Sequence, residues 1–295
     1  MKVSAFYKAK GYASEFYTPF NTYNAVYASK VFTWSADYNY YPEGAVKGGT
    51  GYLGNTTVLP AVIEHSCPDY GLYGLDYSMG FTTRGCIRKC PFCVVPEKEG
   101  YIKPHADVSE FLRHKKLVLL DNNILAHNHG LKQIEKLVDL KVKVDFNQGL
   151  DARIIVDNPD IAKLLARVKY LRPIRLAMDY LSEAPAVVKA SKLLREAGAM
   201  PKGYSVYIIV RAGEIDDAIE RAEICRKHGL RPFAQPYLDP RLTGYSVSRD
   251  QRDLVSWINQ RQFFQKMPWK LFKAARHNRN SQLISEETLE AMLIT

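Results

Sequence analysis

Short β-branched runs alternate with amphipathic segments from about residue 78 to residue 236, and this alternation constrains the fold more than any other feature of the sequence. The pattern is typical of repeated β-α units around a parallel sheet. Several runs are nearly all apolar, as expected of strands covered on both faces. The six predicted strands are Ser78–Thr82, Leu117–Asp121, Val142–Asn147, Ile174–Asp179, Tyr204–Val210 and Leu230–Gln235. We therefore predict an α/β fold whose core is a partial (β/α)6 TIM-like barrel.

The sequence indicates where the helices between these strands begin and end. Asn158 can cap a helix that has Pro159 in its first turn, and Ser182 and Gly198 bracket the next helix. In the helix after Gly213, Cys225 shares an apolar face with the residues three and seven positions before it. Cys225 is therefore expected to be a buried core residue rather than a catalytic one.

Two segments of different character flank the predicted barrel. Residues 1–77 are rich in Tyr and Gly, with a predicted helix through Lys8 and a strand near Ala25–Thr33, which indicates a small Rossmann-like layer. The glycines of residues 48–51 predict a tight turn rather than a phosphate site. Residues 241–295 read as a basic helical extension. The predicted segments are therefore 1–77, 78–240 and 241–295.

Composition and charge limit the kinds of partner that the chain is expected to bind. The 295 residues are 46% hydrophobic, which predicts a folded globular chain. Lys and Arg outnumber Asp and Glu by 41 to 31, so the net charge of +10 favours an anionic partner such as tRNA or DNA, or simply solubility.

The C-terminal segment interleaves cations with aromatic rings. Such a pattern suits a phosphate backbone with stacked bases, but it equally suits rings that pack on the core beneath solvated cations. The residues are Arg261, Lys266, Lys270, Lys273, Arg276 and Arg279, with Phe263, Phe264, Trp269 and Phe272.

Targeting and cysteine usage indicate a cytoplasmic protein. No stretch approaches the roughly eighteen apolar residues that a membrane span needs, and the N-terminus lacks the apolar core of a secretory signal. Of five cysteines, three fall within eight residues, which argues against a disulfide framework and for metal binding in a reducing compartment. Cys67 and Cys225 stand apart from that group.

The group of three is Cys86, Cys90 and Cys93, in a loop directly after the first predicted strand. A four-iron cubane needs a ligand on each iron, so three thiolates leave one iron open to a small molecule. Gly85 and Pro91 permit tight turns there, and the neighbouring Arg84, Arg88 and Lys89 would offset the negative charge of the thiolates and sulfides. A structural zinc site is the alternative, but the spacing lacks a second nearby Cys or His pair.

The spacing Cys86-x-x-x-Cys90-x-Phe92-Cys93 after a strand resembles the defining motif of the radical S-adenosylmethionine (radical SAM) superfamily. The resemblance implies that the three cysteines bind a [4Fe-4S] cluster and that the amino and carboxylate groups of SAM chelate its open iron. It places Phe92 near the adenine. It also implies that a one-electron donor such as flavodoxin or ferredoxin drives cleavage of SAM to a 5′-deoxyadenosyl radical.

The longer run from Gly85 to Gly100 resembles the cluster loop of the methylthiotransferase branch, whose members modify tRNA or a ribosomal protein. Those proteins carry three further N-terminal cysteines, whereas only Cys67 precedes the motif here. The N-terminal layer resembles a cobalamin-binding module but lacks an Asp-x-His-x-x-Gly segment, so cobalamin is not predicted.

Polar residues follow the predicted strands at the edge where α/β proteins collect their ligands. The resemblance implies that the loop after the second strand receives the methionine amino group. Arg153 suits the methionine carboxylate, and the other residues face cofactor or substrate unless they serve ordinary turns. The candidates are Asp121, Asn122, Asn123, Asn147, Gln148, Arg153, Asp179, Arg211 and Gln235.

Three functional hypotheses follow. The first is a radical SAM enzyme that modifies a nucleic-acid base or nucleoside. The second is a radical SAM enzyme acting on a peptide or small metabolite. The third is a zinc-stabilised nucleic-acid-binding module without turnover, in which the thiols are structural.

Overall fold

The computed structural model describes residues 1–33, 35–37, 40–52, 58–239 and 246–277. The chain forms two compact units; the first contains Met1–Val144, and the second contains Asp145–Leu238 and residues 246–277. The boundary at Val144 falls inside the third predicted strand. The division into segments 1–77, 78–240 and 241–295 stays a prediction, and residues 278–295, with Arg279, lie outside the described residues.

The first unit is built from short elements, and its last strand carries the chain into the second unit. A single 3-10 turn precedes the third strand and another follows the sixth. The elements are α1 (Lys2–Ala9), β1 (Tyr27–Ser29), β2 (Val46–Gly48), α2 (Ala61–Glu64), β3 (Ser78–Gly80), β4 (Thr83–Arg84), α3 (Val95–Lys98), β5 (Lys103–Pro104), α4 (Val108–Phe111), β6 (Lys116–Leu119), α5 (Asn128–Asp139) and β7 (Lys143–Phe146).

Three sets of strand pairs organise the first unit. β1 and β2 are parallel, with Tyr27 opposite Val46. β3 is parallel to β6, and β6 neighbours β7. β4 and β5 form a short antiparallel pair. Leu117 and Leu119 of β6 are buried in the core of this unit.

The second unit alternates helices with parallel strands and ends in three helices. Its elements after β7 are α6 (Ala152–Asp157), α7 (Asp160–Ala166), β8 (Lys169–Tyr170), β9 (Ile174–Ala177), α8 (Ala184–Glu196), β10 (Tyr204–Val210), α9 (Ile215–Lys227), β11 (Arg231–Pro236), α10 (Arg249–Asn259), α11 (Arg261–Lys266) and α12 (Trp269–His277).

A three-stranded parallel sheet in the order β11-β10-β9 forms the centre of this unit. Alternate residues of β10 are fully buried, which is the period of two expected when one face packs on helices. Arg221 of α9 is also fully buried, and its guanidinium donates to the carbonyl oxygens of Met178 and Ile209 at 2.9 and 3.1 Å and to Asp217 at 2.6 Å. The buried charge is therefore paired and hydrogen-bonded.

Of the three C-terminal helices, α10 packs on β11, and α11 and α12 pack on α10. The Asn259 side chain accepts from the Ala234 N–H at 2.8 Å and donates to the Ala234 carbonyl at 2.9 Å. Trp257 is fully buried, donates through Nε1 to the Met267 carbonyl at 2.8 Å, and lies with its ring 5.0 Å from that of Phe264. Within the segment predicted to be a helical extension, the described residues form α10, α11 and α12.

The six predicted strands are all present, although most end one or two residues early. The α/β class with parallel pairing is confirmed, while closure into a partial barrel and the Rossmann-like character of the N-terminal layer stay predictions. Asn158 accepts from the Asp160 N–H at 3.2 Å at the start of α7, and Cys225 is fully buried, as expected. None of the helices in the described ranges combines the length and apolarity that crossing a membrane requires.

Candidate functional site

The three clustered cysteines lie in one loop of the first unit, between β4 and β5. These two strands pair antiparallel, with Thr83 opposite Pro104 and Arg84 opposite Lys103, so the loop leaves and returns at the same place. The Cys86 N–H donates to the Gly100 carbonyl at 3.2 Å just inside this pair. The loop is therefore closed by main-chain hydrogen bonds at its base.

The Glu99 carboxylate holds the same base together. Its Oε2 accepts from the Gly85 N–H and from the Asn122 side chain, both at 2.9 Å, and its Oε1 lies 3.1 Å from the Arg84 guanidinium. It thereby joins the start and end of the loop to the residue after Asp121. Sequence reasoning missed Glu99, and its place in the run from Gly85 to Gly100 was the only available signal.

Gly85 adopts the turn that its sequence position predicted. Its φ of +83° is a conformation that residues with a Cβ rarely adopt. A Cβ there would lie 2.5 Å from the Tyr101 carbonyl oxygen and 2.7 Å from that of Gly100. The close approach of β4 to the returning chain therefore requires glycine.

Asp121 holds the entry to the loop. Its side chain is 4% exposed, and Oδ1 accepts from the N–H and hydroxyl of Thr82 at 3.0 and 2.7 Å and from those of Thr83 at 2.5 and 2.8 Å. Burial raises the pKa of Asp121, while the four hydrogen bonds oppose that shift. Its place in the fold is that of a positioning residue. Contact between Asp121 and a cofactor stays a prediction, and the two threonines were missed.

The thiols themselves are half-buried and two of them accept hydrogen bonds. The Sγ of Cys86 accepts from the Arg88 N–H at 3.3 Å and from the Asn123 side chain at 3.7 Å, and the Sγ of Cys93 accepts from the Val95 N–H at 3.5 Å. N–H donors directed at sulfur tune a metal cluster that the sulfur binds.

Throughout the described ranges, no group of three or more His, Cys, Asp or Glu side chains is arranged around a single metal ion. A cubane binds each thiolate at a different iron, so its ligands need not meet at one point. Three half-buried thiols in one closed loop, with N–H groups on two of them, have the donor chemistry that such a cluster requires.

The charges and rings beside the cysteines have several partners within the fold. Arg84 pairs with Glu99 and places its guanidinium 4.0 Å from the centre of the Phe81 ring, so its charge is largely balanced by the chain itself. Phe92, the predicted adenine neighbour, is half-buried directly before Cys93. Its contact with a nucleotide stays a prediction.

In the second unit, Arg153 is held by two carboxylates. Its Nε lies 2.8 Å from Asp151, the N-cap residue of α6, and its Nη1 lies 2.9 Å from Glu183. The other oxygen of Glu183 accepts from the Asp179 N–H at 2.7 Å. Arg153, the predicted carboxylate partner, thus already binds carboxylates of its own chain. Sequence reasoning missed both of them.

Asp179 and Arg211 meet where β9 and β10 end. Arg211 donates to the Asp179 carbonyl at 3.0 Å and to Glu214 at 2.9 Å, and its guanidinium lies 4.4 Å from the Tyr180 ring centre. Burial raises the pKa of the Asp179 carboxyl to about 6, and the negative charge of Glu183 adds to the shift. Asp179 therefore changes protonation much closer to neutrality than an ordinary aspartate.

The remaining strand-end candidates lie apart from this network. The Asn147 carbonyl accepts from the Tyr207 hydroxyl at 3.1 Å, and Gln148 is exposed. Gln235 lies within β11, opposite Ile209, and its side chain points outward. Within the described residues, none of these three side chains hydrogen-bonds to Arg153, Asp179 or Arg211. Their predicted contacts with cofactor or substrate stay predictions.

No protein-family model matches the sequence, and no curated protein matches it. A search of solved structures finds similarity to SuiB of Streptococcus suis, whose crystal structure contains the precursor peptide SuiA. The match has a TM-score of 0.47 and 14% identity and covers 72% of this chain and 53% of SuiB, so this chain spans about half the length of that relative. A similarity of this size assigns no function.

Proposed function

We propose that the chain is a radical SAM enzyme. When bound by Cys86, Cys90 and Cys93, a [4Fe-4S] cluster would supply the electron that cleaves SAM to a 5′-deoxyadenosyl radical. The observation that carries this proposal is the placement of the three thiols in one loop that the antiparallel pair β4–β5 closes at its base, with backbone N–H groups directed at two of the sulfurs.

The surrounding residues fix the geometry of that loop. Asp121 holds its entry through Thr82 and Thr83, and Glu99 ties its two ends through Gly85. Hydrogen bonds of this kind order the thiols before any metal binds, which lowers the entropy lost on binding. Asn123 adds a side-chain donor to the sulfur of Cys86 and so helps to hold that sulfur in place.

For SAM, we propose Phe92 as the adenine contact and Arg153 as the partner of the methionine carboxylate. Arg153 would exchange one of its present partners, Asp151 or Glu183, for the carboxylate of the bound molecule. Asp179, with its raised pKa, would hold or release a proton near neutral pH. These roles follow from the strand-end positions and carry over the expectations of the family resemblance.

The substrate class remains divided between a nucleic acid and a peptide or small metabolite. The described tail supports the second alternative, because Phe264 and Phe272 are buried and because Arg276 and Lys273 each lie 2.9 Å from an aspartate of α10. Rings and cations that are already engaged contribute less to binding a phosphate backbone. We therefore propose a peptide or small metabolite as substrate, with a flavodoxin or ferredoxin as electron donor.

The test is anaerobic reconstitution with iron and sulfide, followed by reduction in the presence of SAM. We expect stoichiometric iron and acid-labile sulfide, and formation of 5′-deoxyadenosine. Cys90→Ala should lose both the cluster and the product, whereas Cys225→Ala, which removes a buried thiol in α9, should keep both. Stoichiometric zinc without labile sulfide, or full product formation by Cys90→Ala, would overturn the proposal.

The substrate class can be tested with the same assay. Product formation should rise on addition of the peptide and small-molecule fraction of a cell extract and should be indifferent to purified small RNA. A rise with RNA alone would reverse the assignment.

A further inference from the structure

A cleft of about 400 Å³ opens in the second unit at the amino ends of β10 and β11. Four cationic side chains line it, each from a different segment: Lys202 before β10, Arg226 of α9, Arg231 at the start of β11 and Arg261 at the start of α11. No Asp or Glu occurs among its described lining residues. The side chains that line the cleft therefore carry a net positive charge.

The cations differ in how firmly they are held. Arg226 donates to the Phe264 carbonyl at 2.7 Å and pairs with Glu223, so it is fixed in place between α9 and α11. Lys202, Arg231 and Arg261 form none of the ion pairs found within the described residues. Three long cationic side chains are thus available to close around an anion.

Part of the cleft surface is apolar. The apolar lining residues are Tyr204, Pro232, Ile258 and Phe264. The Arg195 guanidinium lies over the Tyr204 ring, 4.8 Å from the ring centre. Small-molecule sites combine such apolar surface with a few polar groups, in volumes of roughly 300 to 1,000 Å³. The size and lining indicate a ligand with an anionic group and a ring-sized apolar body.

We propose that this cleft binds a phosphate-bearing small molecule of the nucleoside phosphate class. Arginine presents a planar fork of donors that matches the oxygens of phosphate, and lysine adds a mobile point charge. The apolar surface would receive the base. Asp179 and Arg211 lie at the opposite, carboxyl ends of the strands of the same sheet, so this is a second site, independent of the proposed radical chemistry.

The experiment measures the Kd of ADP by isothermal titration calorimetry, with adenosine and inorganic phosphate as reference ligands. ADP should bind at least about tenfold more tightly than adenosine. The double variant Lys202→Ala/Arg231→Ala should raise the Kd of ADP at least about tenfold, because two charge-assisted contacts are lost. The control is Lys189→Ala/Lys192→Ala, which removes the same charge from the exposed face of α8 and should bind ADP as the wild type does.

Three results would overturn the proposal: equal ADP affinity in the cleft variant and the wild type, adenosine binding as tight as ADP binding, or cleft-dependent binding of an oligonucleotide without binding of ADP. All the substituted cations are exposed, and circular dichroism confirms that each variant is folded. Cys90→Ala should bind ADP normally, so a failure of this proposal is distinguishable from a failure of the radical SAM assignment.

Discussion

The Gly85 N–H donates to the Glu99 carboxylate at 2.9 Å, which ties the residue before Cys86 to a residue six positions after Cys93. The same carboxylate pairs with Arg84 and accepts from Asn122. One side chain therefore fixes both ends of the cysteine loop and connects them to the end of β6. The stability of the loop should depend on it.

Glu99→Ala is expected to lower the free energy of unfolding by about 2–3 kcal/mol, because it removes the acceptor for two donors and one ion pair in a largely buried place. Iron retained after reconstitution should fall as well. Denaturant unfolding and iron analysis measure the two effects. Glu135→Ala, on the exposed side of α5, is the control and should change neither. Equal behaviour of the two variants would contradict the prediction.

Gly85→Ala should destabilise the protein by more than about 2 kcal/mol. The new Cβ would meet the Tyr101 carbonyl oxygen at 2.5 Å, and φ is positive, so both overlap and backbone strain are added. Gly100→Ala is the matched comparison, since Gly100 has a φ of +74° but no atom within 4 Å of its Cβ position. Gly100→Ala should lower the free energy of unfolding by only about 1 kcal/mol. Thermal or denaturant unfolding that ranks Gly100→Ala as the costlier change would refute this account.

Asp179→Asn should change how stability depends on pH. Burial raises the pKa of Asp179 from its ordinary value near 4 to about 6, so the folded protein keeps a proton that the unfolded chain has lost between these pH values. The Asp179 carboxyl should therefore lower the free energy of unfolding of the wild type as pH rises from 4 to about 6. Because asparagine does not titrate, the free energy of unfolding of the variant should rise relative to that of the wild type by up to roughly 3 kcal/mol over this range. Urea unfolding at several pH values measures this.

Asp216→Asn, at an exposed position in the first turn of α9, serves as its control. Its stability should run parallel to that of the wild type from pH 4 to 7. A constant difference between Asp179→Asn and the wild type over this range would show that the carboxyl titrates normally.

Lys273→Ala/Arg276→Ala should leave the affinity for single-stranded RNA within about twofold of the wild type. Both cations lie 2.9 Å from aspartates of α10, so their charges are compensated within the fold. Filter binding at several salt concentrations gives the affinity and its salt slope. If the variant bound RNA tenfold or more weakly and its affinity depended less steeply on salt, the C-terminal helices would be a nucleic-acid interface after all.

The strands could be predicted closely from their apolar β-branched runs, although β10 buries only alternate residues and is not covered equally on both faces as the sequence predicted. Tyr204–Val210 coincides with β10 at both ends. The three cysteines do share one loop, but the short strand β4 that precedes this loop was not predicted. The partners of that loop could not be predicted. Glu99 and Asp121 act on groups 14 and 38 or 39 positions away, and these contacts exist only after β3, β6 and the β4–β5 pair have formed.

The tail illustrates the same limit. No acidic residue separates Arg261 from Arg276, so the sequence suggested exposed cations. In the structure, the compensating charges are Asp250 and Asp253 on the preceding helix, α10. Helix packing brings them together, and a charge pattern along the chain does not encode that packing.

Asp121 and Glu99 secure the base of the cysteine loop through Thr82, Thr83 and Gly85, all of which lie outside the interval between Cys86 and Cys93. None of these hydrogen bonds involves a side chain of Ile87, Arg88 or Lys89, so substitutions at these three positions should leave the base of the loop intact.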